Sequence, residues 1–235
     1  MLIENVDKEF LAARFAGDKE GNLFKYEYVE DYRFTDKSDD PRSYLVLFEP
    51  ETNEDTLDAS ALVQFVRTAN SAPAEGFAAA IAPYLDVDRF LTYLAVENAM
   101  AEQDGFLGLQ GMNNFYVYQF TGQSRFQFIP WDHDTSFVSA SWPVLQRVDT
   151  NVLAAKLLAD SARRQYYLDQ VKATVATAVN AAFLGPRIDM YYGVMREAVL
   201  TDAKKPITNE EFEQGVAGIR GIIAARAADV QAQLP

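Results

Sequence analysis

Midway along the chain, two β-type runs meet across a turn. Residues 114–120 read Asn-Phe-Tyr-Val-Tyr-Gln-Phe, 121–124 read Thr-Gly-Gln-Ser, and 125–129 return as Arg-Phe-Gln-Phe-Ile before Pro130. Aromatic and β-branched residues favour strands, a glycine-containing turn favours antiparallel reversal, and proline ends the ladder. A hairpin brings its own ends together. Asn113 and Asn114 enter this one, and Asp132 and Asp134 leave it. Amide and carboxylate groups are therefore expected side by side.

The flanking sequence supplies the rest of the fold class. Residues 1–4 read as the end of a strand. Residues 6–15 have helical spacing, with Phe10, Leu11 and Phe15 apolar and Gly17 as a stop. Residues 23–29 alternate as a half-buried strand, and the apolar run 44–48 between Pro41 and Pro50 predicts a second. Asp58 or Ser60 can cap a helix through Ala69. Asp86 can cap the next, whose apolar face runs through Val87, Phe90, Leu91, Leu94 and Ala95 to a polar Asn98. Beyond Asn151 the spacing predicts helices over 151–159, 161–184, 187–201 and 208–233, punctuated by Gly185-Pro186 and Pro206. Strands in the first half and helices throughout define an α+β chain with a helical majority, read as a single domain over 1–235.

Composition narrows the chemistry. With no Cys, the chain has neither a disulfide framework nor a thiol nucleophile, and its single His cannot build a His-rich zinc site. A net charge of −13 argues against nonspecific nucleic-acid binding. It suits cationic ligands, or anionic ligands that arrive with metal ions. Residues 1–60 hold 16 acidic against 7 basic residues, which read as a solvated face and loop. No apolar run is long enough to span a membrane, and the N-terminus lacks the basic and apolar regions of a signal peptide.

The chemistry centres on 98–134. Asp104 precedes the hairpin on a loop with glycines at 105, 108 and 111, so it can fold onto the same spot as Asn114 and Asp132. Oxygen donors without Cys or His suit a hard cation, Mg²⁺, Mn²⁺ or Ca²⁺. The order acid, amide, hairpin, acid matches the parts a phosphoryl-transfer site requires: a carboxylate for the acceptor hydroxyl, then an amide and a carboxylate for metal. On spacing alone, Asp and Asn are also ordinary turn formers. Trp131 reads as a core anchor, and the Tyr116, Tyr118, Phe120 stripe as strand-face packing. Lys204-Lys205 reads as a solvated helix end and His133 as a bystander. Glu102 reads as a surface residue, and Asn98 as a hydrogen-bond partner of the Asp104 loop.

Particular strings add to this. Asp104-Gly105, Asn114-Phe115-Tyr116-Val117-Tyr118, and Ile129-Pro130-Trp131-Asp132-His133-Asp134 with Phe137 closely resemble the CotH kinase family of spore-coat-protein-H-like proteins. Glu4-Asn5-Val6-Asp7, Gly21-Asn22-Leu23-Phe24-Lys25, Asn151-Val152-Leu153 and Arg187-Ile188-Asp189 extend the resemblance over the chain. It implies an atypical protein-kinase-like fold, mostly the helical C-terminal lobe with the hairpin carrying the metal site. It implies ATP and Mg²⁺ or Mn²⁺ as cofactors and Ser of a secreted or coat protein as acceptor, outside the cell or on a surface or spore coat. By the same resemblance Asp104 matches the catalytic Asp, Asn114 and Asp132 the nucleotide–metal site, and Asp134 further metal support.

Three departures stand beside the likeness. The loop from Asp104 to Asn114 is longer than the family's, with Asn113 at a position where the family has His. Val138 stands where a Gly often follows the aromatic, so the loop after Asp134 is expected to differ. The resemblance also implies an upstream β lobe with a phosphate-binding Lys, which this sequence is expected to lack; Lys8 and Lys25 are the nearest lysines. The chain is thus expected to be the C-terminal part of a family member, with weak or no ATP turnover alone. Two other classes stay open: a noncatalytic surface or adhesion module on the same fold, and a metal-dependent hydrolase. A glycosidase-like carboxylate pair such as Glu97 with Asp104 would lack an aromatic sugar platform.

Overall fold

The computed structural model describes residues 4–234; the strand end read at 1–4 falls almost wholly outside them. Four strands of the described residues form one antiparallel sheet: β1 (Asn22–Tyr26), β2 (Phe48–Pro50), β3 (Phe115–Gln119) and β4 (Phe126–Pro130), in the order β2-β1-β3-β4. The hairpin pairs Phe115 with Pro130 and Gln119 with Phe126, as its sequence requires.

Alternation splits the sheet's two faces. Phe24, Tyr26, Phe48, Phe115, Val117, Phe126 and Phe128 enter the main core. There they meet α3 (Ser60–Ser71), α4 (Phe77–Ile81) and α5 (Val87–Ala99). Leu23, Tyr116, Tyr118 and Ile129 point the other way, under α1 (Lys8–Arg14), in a smaller cluster with Val6 and Leu11. Trp131 packs on this cluster, its ring edge-on to Tyr116 at 5.4 Å, which is the anchoring role expected of it.

Helix starts follow their caps. Asp86 accepts from the Arg89 N–H and starts α5 where the sequence reading put it. Asn151 caps α6 (Val152–Ala159) through the Leu153 and Ala154 N–H groups. Asp58 lies one residue outside the α3 cap position and accepts from the Ser60 N–H.

Two element readings need correction. The 44–48 run is not a strand. A short helix α2 (Arg42–Leu45) starts after Pro41, and β2 begins only at Phe48. The Tyr44 hydroxyl donates to Asp36 and accepts from the Lys37 N–H, which holds the helical turn. The second correction concerns Gly185-Pro186, which does not separate helices. α7 (Ser161–Thr177) ends earlier, and Asn180 caps α8 (Ala181–Thr201), in whose interior Pro186 lies. A helical proline removes the bond to the carbonyl four residues back. Here that residue is Ala182, which is exposed, so water can take the bond's place. A capping box at Thr208 and Glu211 opens the last helix, α9 (Asn209–Gln233).

Candidate functional site

The loop between α5 and β3 brings Asp104 to the hairpin's entrance. The Gly105 carbonyl accepts from both the Gly108 and Asn113 N–H groups, at 3.0 Å each. The extra residues therefore form a closed excursion, and Asn113 returns beside its start. A Cβ on Gly108 would lie 2.5 Å from the Gly111 carbonyl oxygen, so only glycine allows the fold-back. The Arg33 guanidinium holds the loop from outside by donating to the Gly108 carbonyl at 3.1 Å.

Asp104 Oδ2 accepts from the side-chain amides of Asn113 (3.1 Å) and Asn114 (3.2 Å). With its amide nitrogen committed to Asp104, Asn114 keeps an amide oxygen available as a hard ligand. The Trp131 N–H donates to the Asn114 carbonyl at 3.0 Å, which fixes Asp132 beside the hairpin's entry. Asn114 (φ 56°) and Asp132 (φ 43°) both hold left-handed backbone, strain of a kind that clusters at functional sites. Asp132 and Asp134 are exposed, and their carboxylates accept no side-chain hydrogen bond among the described residues. Beside Asp104 opens a cleft of about 330 Å³, walled by Tyr28, Leu109, Asn113 and Thr135.

Glu102 is the residue the sequence reading misplaced. It is buried, and its carboxylate accepts four hydrogen bonds. Oε1 takes the Asp104 N–H (2.8 Å) and the Thr135 hydroxyl (2.6 Å). Oε2 takes the Ser136 hydroxyl (2.6 Å) and contacts His133 Nδ1 at 3.2 Å. Burial pushes its pKa up, but the bonds from His133, Ser136 and Thr135 outweigh this and hold it at about 2. Burial lowers the His133 pKa, but the Glu102 hydrogen bond together with the negative charges of Glu97, Glu102 and Asp132 outweighs it, so the imidazole is biased toward its charged form. Glu102 thereby ties the Asp104 loop to the Asp132–Asp134 loop. Three of its four partners lie beyond the hairpin, where no local pattern points to them. The adjacent hydroxyls Thr135 and Ser136, which need an acceptor, were the available signal.

Glu97 lies beneath the same loop. Both its oxygens accept from the Phe106 N–H, and a Cβ on Gly105 would sit 2.7 Å from the carboxylate. It is only 3% exposed, so no substrate reaches it, and a catalytic pairing with Asp104 is ruled out. Burial pushes its pKa up to about 7. The raised value means Glu97 favours the fold while protonated, below the ordinary carboxylate value near 4.5. That contribution is lost as pH rises through about 7. Urea denaturation is expected to show stability falling by about 2 kcal/mol between mildly acidic and mildly alkaline pH. Glu97→Gln, which keeps an acceptor for Phe106, should flatten this limb; an unchanged slope would refute the assignment.

Asn98 does not reach the loop. Its amide nitrogen donates to the Tyr167 hydroxyl (2.8 Å) and its oxygen accepts from the Trp142 indole (3.1 Å), because the last turn of α5 faces α7. The left-handed residue after the acidic loop is Phe137 (φ 61°), not Val138; its N–H donates to the Met100 carbonyl at 2.7 Å. Lys8 and Lys25 are already paired with Glu20 and Glu27. Among the described residues no three His, Asp or Glu side chains cluster closely enough to hold an ion by themselves, and no helix is long and apolar enough to cross a membrane.

An α+β protein whose hairpin carries an acid with two amides at its entrance and two exposed acids at its exit is thus defined. The family described as CotH kinase protein matches residues 1–230, and the chain belongs to that family. A similar curated protein is the inner spore coat protein H of Bacillus subtilis (strain 168), 27% identical over 224 residues. That alignment covers 90% of this chain and 59% of the relative, so the chain spans well under two thirds of the relative's length.

Proposed function

We propose that the hairpin site is a kinase-like phosphotransferase centre that passes the terminal phosphate of ATP to Ser of a secreted or coat protein. The spore coat is its proposed setting, by likeness to the coat protein above. The observation that carries the reading is the hydrogen-bonded junction of Asp104 with Asn114, whose carbonyl in turn accepts from Trp131 next to Asp132. The donor set fits Mg²⁺ or Mn²⁺. Two exposed carboxylates and one amide oxygen leave coordination positions for phosphate oxygens and water, which is how Mg²⁺ is commonly held. Asn114 and Asp132 would hold the ion, with Asp134 in support. When bound, the metal would offset charge on the nucleotide phosphates.

Asp104 faces the cleft walled by Tyr28 and Leu109, where an acceptor side chain can enter. The Asn113 and Asn114 amides both engage one of its oxygens, leaving the other to accept a proton from a Ser hydroxyl. Calorimetric titration of the chain with ATP and Mn²⁺ tests the reading. Weak, metal-dependent binding is expected, reduced at least about tenfold in Asp132→Ala. Asp104→Asn is expected to retain binding. Full binding by the Asp132 variant, or no metal-dependent binding by the parent chain, would contradict the assignment.

A further inference from the structure

Among the described residues α8 packs chiefly on α9, and its opposite face has no partner. None of its 21 residues is buried. The side toward α9 is satisfied: Tyr192 stacks on Phe212 at 6.1 Å, Arg196 pairs with Glu213, and Asp189 pairs with Arg220. The opposite side is apolar and open. Met190 is 54% exposed and Val194 77%, flanked by the exposed Tyr191 and Met195. Contiguous exposed apolar surface of this kind marks interaction sites.

The order of residues along that face bears on what could cover it. Residues 183, 187, 190, 194, 197 and 201 follow one another at spacings of four, three, four, three and four. They form one face of the helix, with the spacing that a packed helix pair can use. The series reads the same in both directions about residue 192. Two antiparallel copies related by a twofold axis would set Met190 against Val194 and Phe183 against Thr201. The same register sets Arg187 against Glu197, twice. Among the described residues Arg187 has no carboxylate partner; its guanidinium lies over its own Phe183 ring at 3.6 Å. Glu197 likewise has no cationic partner.

We infer that α8 is a homodimerisation helix, pairing antiparallel with α8 of a second copy through Met190 and Val194 and through reciprocal Arg187–Glu197 ion pairs. An isologous contact of this kind closes on itself and leaves no open end. The apolar pair supplies most of the attraction, and the exposed ion pairs chiefly fix direction and register. One helix pair is a small interface, so association in the micromolar range is expected.

Sedimentation equilibrium of the chain from micromolar concentrations upward tests this. A reversible dimer is expected. Val194→Glu should abolish it. Arg187→Glu and Glu197→Arg should each weaken it about tenfold by facing like charges across the axis. The double charge swap should restore the parent affinity. All three positions are exposed, so each variant should keep the parent helical content and melting temperature, which circular dichroism checks. A monomer at every concentration, a dimer indifferent to Val194→Glu, or a double swap no tighter than either single reversal would overturn the proposal.

Discussion

Arg226→Met is expected to lower the unfolding free energy by about 3–5 kcal/mol, among the largest losses a single substitution here can produce. Arg226 projects from α9 and is completely buried. Its guanidinium donates to four backbone carbonyls: Asn98 (2.6 Å), Ala99 (3.0 Å), Ala140 (2.6 Å) and Trp142 (2.7 Å). Asn98 and Ala99 end α5, where helix carbonyls lack intrahelical partners and the dipole favours a cation. No carboxylate pairs with Arg226 among the described residues, so these oxygens carry the task of compensating its buried charge. Methionine fills much of the volume and satisfies none of them. Lysine has fewer donors and no planar fork, so Arg226→Lys should recover only part of the loss. Chemical denaturation reads the effect; a Met variant within about 0.5 kcal/mol of the parent would show that water replaces the guanidinium. The damage should also be felt at the site, because the end of α5 runs into Met100, whose carbonyl accepts from Phe137.

What the sequence made legible was what short segments decide. The hairpin, the Asp86 cap and the inward face of α5 each depend on residues within a few positions of one another, and each is as expected. The strings around Asp104, Asn114 and Asp132 sufficed to identify the family. The misread features depend on partners that hydrophobic spacing does not reveal, some of them distant in the chain. Tyr44 and its neighbours look like a strand, yet a tyrosine hydroxyl bound to Asp36 favours a helical turn. Pro186 looks like a break, but the Asn180 cap six residues earlier has already started the helix. Arg226 reads as one more polar residue on an alanine-rich helix, since its four acceptors lie more than 80 positions away. Glu102 stands in a polar loop like many others, and only the return of the hairpin supplies its donors from His133, Thr135 and Ser136.

Glu102→Ala should therefore damage both stability and the site, by about 3–4 kcal/mol in unfolding free energy. The truncation removes one acceptor that satisfies the Asp104 N–H, the Thr135 and Ser136 hydroxyls and His133. Leaving such donors buried without a partner costs more than any one bond contributes. Glutamine is a poor substitute, because its NH₂ group would face donors rather than accept from them. The pH dependence supplies a signature specific to the carboxylate. Its folded pKa of about 2 lies below the ordinary value near 4.5. A depressed pKa gives stability that is complete above the unfolded value and disappears as pH falls toward the folded one. The parent chain should thus lose on the order of 3 kcal/mol from this group between about pH 5 and about pH 2, and the Ala variant should lack that acid limb. Hydrogen exchange gives the local reading. The Asp104 and Phe137 amides should exchange faster in the variant, while those of α7 remain protected. Equal acid limbs in parent and variant, or unchanged exchange at Asp104 and Phe137, would mean that the two acidic loops are held together by something other than Glu102.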